Sequence, residues 1–164
     1  MSNIAEARRV VGLARAFGVE DFCVCGGSRN APLIAALAVG SWQLAEDPTA
    51  NRQLPTVNSF IDERAAAFFA LGRAKLTGRP VAVITTSGTA VAEMLPAAIE
   101  AHYSGVPLVL ITADRPARFR GTGAPQAIEQ VGLFGGYATT DIDRWNQRAP
   151  LHINIEFDEP LIDE

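Results

Sequence analysis

The spacing of apolar residues along the chain changes repeatedly between a helical and a strand-like pattern. Residues 3–17 carry apolar side chains every three or four positions, which is typical of an amphipathic helix, and Gly18 supplies a stop. Residues 107–112 (PLVLIT) instead form a continuous apolar run of the kind buried in parallel sheets. The same reasoning predicts helices at 3–17, 30–39, 62–77, 88–103 and 126–131, and strands at 21–25, 56–61, 79–86, 107–112, 137–140 and 151–156.

This alternation of strands and helices predicts an α/β fold with a doubly wound, mostly parallel sheet and helices on both faces. Residues 40–55 lack clear periodicity and are rich in turn-forming residues, so we expect a surface loop there. The stretch before the last strand is short for the expected helix, which is either lost or replaced by Asp143 to Gln147. A chain of 164 residues fits a single domain, residues 1–164.

The amino-acid composition argues against some classes of function. The chain is 48% hydrophobic and 20% charged, enough for a folded core, and its net charge of -4 without a basic cluster argues against nucleic acid binding. No apolar run reaches membrane-spanning length. Cys23 and Cys25 alternate along one strand and read as buried thiols, not as a disulfide or metal site, so we expect a soluble cytoplasmic protein.

Ligands of an open parallel sheet bind beyond the carboxyl ends of its strands, so four junctions could carry chemistry. In the first, Ser28, Arg29 and a helix start could hold a carboxylate or phosphate, although capping by Ser28 or Asn30 explains the same residues. The last junction places several arginines after a buried strand, which favours an anionic substrate, although an ion pair of Asp114 with Arg115 could simply lock the loop. The four junctions are GGSRNAPL (26–33), SFIDER (59–64), TTSGTA (85–90) and TADRPARFRGTGAPQ (112–126).

Glu63, in the second junction, has two interpretations. Ser59 and Asp62 have the spacing of a capping box, and a carboxylate at a helix start is electrostatically favourable in any protein. Alternatively, apolar neighbours could raise the pKa of Glu63 and allow it to exchange a proton with a heterocyclic nitrogen. The residues alone favour the helix-start interpretation.

Four stretches, taken in order, resemble a known enzyme family. They contain G-S-R at 27–29, D-E-R at 62–64, T-S-G-T at 86–89 and A-D-R-P at 113–116, and the last strand region reads LHINIEFDEPL. Together these stretches resemble the N-terminal, pyrimidine-binding domain of the MenD family. These are thiamine-diphosphate-dependent 2-succinyl-5-enolpyruvyl-6-hydroxy-3-cyclohexene-1-carboxylate synthases of menaquinone biosynthesis.

The resemblance implies a transferase reaction in which 2-oxoglutarate is decarboxylated and the resulting acyl-anion equivalent adds to isochorismate. It implies that Glu63 hydrogen-bonds N1′ of the aminopyrimidine and so activates the cofactor. It implies that Ser28, Arg29, Arg115 and Gln126 hold the carboxylated substrate. One departure concerns this last group, because Pro125 stands where the family often has an asparagine.

The resemblance also implies that the diphosphate and its Mg²⁺ are held by a C-terminal domain, whose G-D-G motif does not occur in these 164 residues. No metal ligands are therefore expected in this chain, and by itself it should be inactive. A homodimer is expected, because family members build the active site between two protomers. Two alternatives remain at this stage: another thiamine-diphosphate enzyme, or a non-catalytic α/β module that binds a small anion or dimerises.

Overall fold

The apolar runs form the predicted sheet. A computed structural model describes residues 2–46 and 54–162, and in them five strands pair in the order β2-β1-β3-β4-β5, every pair parallel. The prediction of a doubly wound parallel sheet is confirmed. The strands are β1 Asp21–Cys25, β2 Thr56–Phe60, β3 Val81–Thr85, β4 Leu108–Asp114 and β5 Leu151–Glu156.

Helices cover both faces of this sheet. One hydrophobic cluster joins α1 and α2 to the sheet, and a second joins α3 and the α4–α5 pair to the opposite face. The two faces are visible within β1, where Phe22 packs in the first cluster and Cys23 in the second, because successive strand side chains point to opposite sides. The helices are α1 Asn3–Ala16, α2 Ala31–Glu46, α3 Glu63–Thr77, α4 Thr89–Glu93 and α5 Leu95–Ser104.

The strand order reverses direction at β1. The chain steps from β1 to β2 on one side and, through β3, to β4 and β5 on the other. Loops diverge at such a switch point, which leaves a crevice at the carboxyl ends of β1 and β3 where ligands of this architecture bind.

Two predicted helices have different bounds. The helix expected at 88–103 is interrupted at Met94, and Pro96, which lacks an amide hydrogen, lies in the first turn of α5 instead of inside one long helix. Helix α2 continues to Glu46, into the segment predicted as a loop. The rest of that predicted loop, residues 47–53, lies outside the described residues.

Two predictions in the second half of the chain are wrong. No helix forms at 126–131, because the backbone turns through positive φ at Gln126 (54°) and Gly132 (80°). The strand expected at 137–140 reduces to a single bridge between Thr139 and Leu151. Of the two alternatives for the stretch before β5, the structure shows the loss of the helix, since residues 143–147 are not helical and Gln147 has φ 59°.

None of the helices in residues 2–46 and 54–162 is long and apolar enough to cross a membrane. Cys23 and Cys25 are buried free thiols, as predicted.

Candidate functional site

Glu63 lies at the carboxyl rim of the sheet, in the first turn of α3. The helix is capped by the preceding residue, because Asp62 Oδ1 accepts a hydrogen bond of 2.6 Å from the backbone N–H of Ala65. Ser59 lies inside β2, so the capping-box prediction is wrong. Asp62 therefore meets the need for a cap, and the half-buried Glu63 carboxylate is not used for it.

Glu63 faces the end of the neighbouring strand. Burial raises the pKa of the Cys25 thiol to about 12, and the nearby carboxylates of Glu63 and Asp62 add to the effect. Cys25 is the last residue of β1, so Glu63 is close to one of the two strands that form the switch point.

The loop from β1 to α2 is held by Asn30, which is fully buried. Its amide nitrogen donates to Cys25 O (2.8 Å), and its Oδ1 accepts from Gly27 N–H (2.9 Å). Gly27 in turn lies against Thr86, and a Cβ on it would come within 2.6 Å of Thr86 Cβ. Ser28 is exposed at the tip of this loop, beside the crevice.

Arg29 is buried at the same rim and already holds a carboxylate. Its Nη1 donates to Phe157 O (2.9 Å), and its Nη2 lies 3.1 Å from Glu159 Oε1. The Arg29 side chain is 5% exposed, whereas the Glu159 side chain is 63% exposed. Glu159, which follows β5, therefore lies on the solvent side of the pair and occupies a position that a substrate carboxylate could take.

The β3–α4 turn lies at the carboxyl end of β3, beside β1. Thr85, Thr86 and Ser87 are buried, and the hydroxyl oxygens of Thr85 and Thr86 have no hydrogen-bond partner within the described residues. An unpaired buried hydroxyl costs about 1–3 kcal/mol, so each of the two is a candidate to bind a ligand or solvent. Gly88 follows with φ 85°, a conformation that side chains rarely adopt.

Arg115 and Gln126 are brought together by the loop that follows β4. Arg115 Nε donates to Pro125 O (2.8 Å), directly before Gln126, and the arginine lies 5.8 Å from the Phe119 ring. Gln126 packs its backbone against Gly88, where an added Cβ would meet Gln126 Cα at 2.9 Å. Pro125 thus contributes its carbonyl, an interaction that does not need the family's asparagine side chain.

The other arginines of this loop are engaged by carboxylates, which corrects the expectation that the whole cluster serves an anionic substrate. Arg118 forms an ion pair with Asp158 (2.5 Å). Arg120 bonds to Asp114 (2.9 Å) and Glu156 (2.8 Å), and these partners raise the Arg120 pKa. Asp114, considered as a partner of Arg115 from the sequence, is instead the last residue of β4 and pairs with Arg120.

Glu63, Ser28, Arg29, Arg115 and Gln126 all lie on the carboxyl rim, but not at one point. Glu63 follows β2 and Arg115 follows β4, with β1 and β3 between them. Adjacent strands are about 4.8 Å apart, so the two ends of the site are separated by about 14 Å. That span suits an extended ligand or two ligands side by side better than one small anion.

A buried polar network beneath the rim was missed from the sequence. Gln130, Asn154, Thr112 and His152 are linked by hydrogen bonds of 2.7–2.8 Å, and Asn154 donates to Asp114 (3.0 Å). Burial lowers the pKa of His152 to about 4, partly offset by Asp114. The alternation of His152, Asn154 and Glu156 within β5 was the available signal, because it places three polar residues on one side of a buried strand.

Comparison with known proteins defines the class. Residues 6–133 match the family described as thiamine pyrophosphate enzyme, N-terminal TPP binding domain. The chain belongs to this family, and the parallel sheet with its carboxyl-rim site is the corresponding fold.

Individual relatives show which members of this family the chain is similar to. The chain is 48% identical over 174 residues to the 2-succinyl-5-enolpyruvyl-6-hydroxy-3-cyclohexene-1-carboxylate synthase of Bdellovibrio bacteriovorus, covering 99% of this chain and 31% of the relative. Synthases of the same name from Akkermansia muciniphila and Corynebacterium diphtheriae are 49% and 45% identical, over 87% and 99% of this chain. The chain spans 27–31% of the length of these three relatives.

Proposed function

We propose that this chain is the cofactor-activating and substrate-binding part of a 2-succinyl-5-enolpyruvyl-6-hydroxy-3-cyclohexene-1-carboxylate synthase acting on 2-oxoglutarate and isochorismate. The observation that carries the proposal is the arrangement of the rim. A carboxylate not needed for capping, Glu63, stands at one end of it, and Arg115 with Gln126 stands at the other. Synthases of this name are similar over nearly the whole chain.

We assign the pyrimidine end of thiamine diphosphate to the carboxyl ends of β1 and β3. The unpaired Thr85 and Thr86 hydroxyls supply polar groups there, and Gly27 leaves the β1 loop without a side chain where it meets Thr86. When bound, the cofactor supplies the carbanion chemistry that decarboxylation of a 2-oxo acid requires. The role of Glu63 is to hold a proton at N1′ of the aminopyrimidine, which is acid-base work by a positioned carboxyl group.

The carboxylate groups of the substrates are the proposed ligands of Arg115, with Gln126, Ser28 and Arg29 contributing. Arg115 uses its Nε for Pro125 O, which orients the planar guanidinium toward bidentate binding through its terminal nitrogens. Arg29 already accommodates the Glu159 carboxylate, which supports a carboxylate as its ligand.

The remaining parts of the active site are proposed to come from outside this chain. The chain spans 27–31% of the length of the Bdellovibrio, Akkermansia and Corynebacterium synthases, and we assign the diphosphate and its Mg²⁺ to the remaining part of such a protein. Two buried thiols without a disulfide support a reducing location, and we assign the protein to the cytoplasm.

A second copy of the chain is the proposed partner, through the outer face of α3. Ile61 is fully exposed just before that helix, Leu76 is 84% exposed near its end, and Phe68 and Phe69 are each 43% exposed between them. Leu76 lies eight residues after Phe68 and seven after Phe69, which places these three on one side of α3, and Ile61 lies just before the helix cap. A continuous apolar strip of this kind marks an interaction surface, and it begins beside Glu63.

The test uses a protein of the relatives' full length that carries this chain as its N-terminal part, hereafter the full-length protein. Synthase activity is measured with 2-oxoglutarate, isochorismate, thiamine diphosphate and Mg²⁺. The Glu63→Gln variant should lose at least about 100-fold in kcat, because the amide cannot exchange the proton at N1′.

Asp62→Asn is the matched control. It removes one negative charge from the same helix turn but keeps the side-chain acceptor of the cap, so its kcat should stay within about threefold of the wild type. An active wild type in which Glu63→Gln and Asp62→Asn have equal effects would refute the assigned role of Glu63. An inactive wild-type protein would refute the proposed reaction itself.

A further inference from the structure

Gln130 joins three parts of the structure through one fully buried side chain. Its Oε1 accepts a hydrogen bond from Gly88 N–H (3.0 Å), at the start of α4. Its Nε2 donates to Ala113 O (3.0 Å), near the end of β4, and to Asn154 Oδ1 (2.7 Å) in β5. The oxygen and the nitrogen of the side-chain amide are therefore both hydrogen-bonded. Without Gln130 its partner groups would be buried and unpaired, which costs free energy of folding.

These three contacts adjoin the residues proposed to bind substrate. Ala113 lies two positions before Arg115, and Gly88 is the residue against which the backbone of Gln126 packs. The amide of Gln130 thus fixes a backbone position next to each of the two ligand-binding side chains. Arg115 is also linked to the Gln126 side of the site, because its Nε donates a hydrogen bond to Pro125 O.

The loop between Arg115 and Gln130 has little regular structure of its own. Only a single 3₁₀ turn, Ala117–Phe119, occurs in it, and Gln126 adopts a positive φ of 54°. A non-glycine residue in this conformation is held by its surroundings against a cost of order 1–3 kcal/mol. Gln130 bonds to Gly88, the residue against which the strained Gln126 packs.

Asn154 connects Gln130 to the strands of the sheet by hydrogen bonds. Its Oδ1 accepts from both Gln130 Nε2 and Thr112 Oγ1, and its Nδ2 donates to Asp114 Oδ2. Asp114 is bonded to Arg120, which also lies in the loop. The loop is therefore tied to β4 and β5 at two places, through Gln130 and through Arg120.

We propose that Gln130 is a positioning residue that sets the separation and orientation of Arg115 and Gln126 for binding a carboxylated substrate. This inference rests on the proposed function, because it assigns a role within the same site. Gln130 itself is buried and does not touch the substrate.

The experiment measures steady-state kinetics of the full-length protein with Gln130→Met and Gln130→Glu. Methionine keeps the approximate shape without any strong hydrogen bond, and glutamate keeps the acceptor for Gly88 N–H but loses both donors. Each variant should lower kcat/KM for isochorismate by about 10- to 100-fold, since small misplacements of substrate-binding groups have effects of this size. Glu129→Gln, at a neighbouring side chain that is 80% exposed, is the control and should match the wild type.

Two further readouts separate positioning from general damage. The dissociation constant for thiamine diphosphate should change by a smaller factor than kcat/KM for isochorismate, because Gln130 bonds to Gly88, Ala113 and Asn154 and to none of the groups proposed to bind the cofactor. Adding Gln130→Met to Arg115→Met should lower kcat/KM by a smaller factor than Gln130→Met does in the wild type, because the part of its effect that passes through Arg115 is already lost.

If Gln130→Met does not fold, the same measurements are made with Gln130→Glu and compared with the wild type. An active wild type with unchanged kcat/KM in the Gln130 variants would overturn this inference and leave the proposed function standing. Fully additive effects with Arg115→Met would overturn it as well. An inactive wild type would overturn both proposals, so the two failures are distinguishable.

Discussion

Replacing Gly88 with alanine should loosen the contact between the β3–α4 turn and the loop that carries Gln126. The new Cβ would lie 2.9 Å from Gln126 Cα and also 2.9 Å from Gln126 Cβ. Carbon atoms in contact normally stand about 3.5 Å or more apart, so the loop must move by at least about 0.6 Å. That displacement also strains the hydrogen bond from Gly88 N–H to Gln130.

The magnitude follows from two contributions. Alanine at φ 85° and ψ -140° occupies a region that only glycine adopts readily, at a cost of about 1–3 kcal/mol. Weakening the buried hydrogen bond to Gln130 adds about 1 kcal/mol. Gly88→Ala should therefore lower the free energy of unfolding by about 2–4 kcal/mol.

Urea unfolding of the chain, followed by circular dichroism, measures this difference. Gly12→Ala is the control, because Gly12 lies within α1 with nothing within 4 Å of an added Cβ. Alanine there should stabilise the protein by about 0.5–1 kcal/mol, since glycine is unfavourable inside a helix. If Gly88→Ala were as stable as the wild type, the loop could not be packed against the turn as described.

Two other predictions concern pH and assembly. Burial lowers the pKa of His152 to about 4 in the folded chain, whereas an unfolded histidine titrates near 6.5, so the unfolded state binds the extra proton between these values. The stability associated with neutral His152 is therefore complete above pH 6.5 and declines by about 3 kcal/mol as the pH falls toward 4. Unfolding free energies at pH 7.5 and 5 should show part of this loss in the wild type and not in His152→Asn, and equal pH dependence in both would contradict the assignment. Sedimentation of the full-length protein should show a dimer that Leu76→Glu weakens at least about tenfold, because a charge would be buried in the apolar strip. Ile162→Glu, at an exposed apolar residue outside α3, should leave the dimer intact, and a monomeric wild type would refute the interface.

The sheet could be predicted because its strands carry their own signal. Residues Val81–Thr85 and Leu108–Asp114 are buried along their full length, and such strands appear in the sequence as unbroken apolar runs. The end of α3 was equally visible, since Gly78 adopts the left-handed conformation that ends many helices. In these elements local preference and burial agree.

The loop after β4 could not be predicted in the same way. Its course depends on contacts between residues far apart in sequence, such as Gln130 with Gly88 and Arg118 with Asp158. The sequence showed a dense group of arginines but not which carboxylates would pair with them. Residues 126–131 have helical spacing of apolar side chains but do not form a helix, because the chain turns at Gln126. This turn depends on tertiary contacts, which a local sequence pattern does not show.

Placing the helix cap on Asp62 has an evolutionary consequence for its neighbour. The helix keeps its cap whatever residue occupies position 63, so under the proposed function substitutions there are screened mainly by selection on chemistry. Stability and activity, which often oppose each other at functional sites, then fall to two adjacent side chains of the same charge. A descendant that lost the proposed reaction could change Glu63 at a small cost in helix electrostatics and still keep the domain, while Asp62 would remain constrained by the start of the helix.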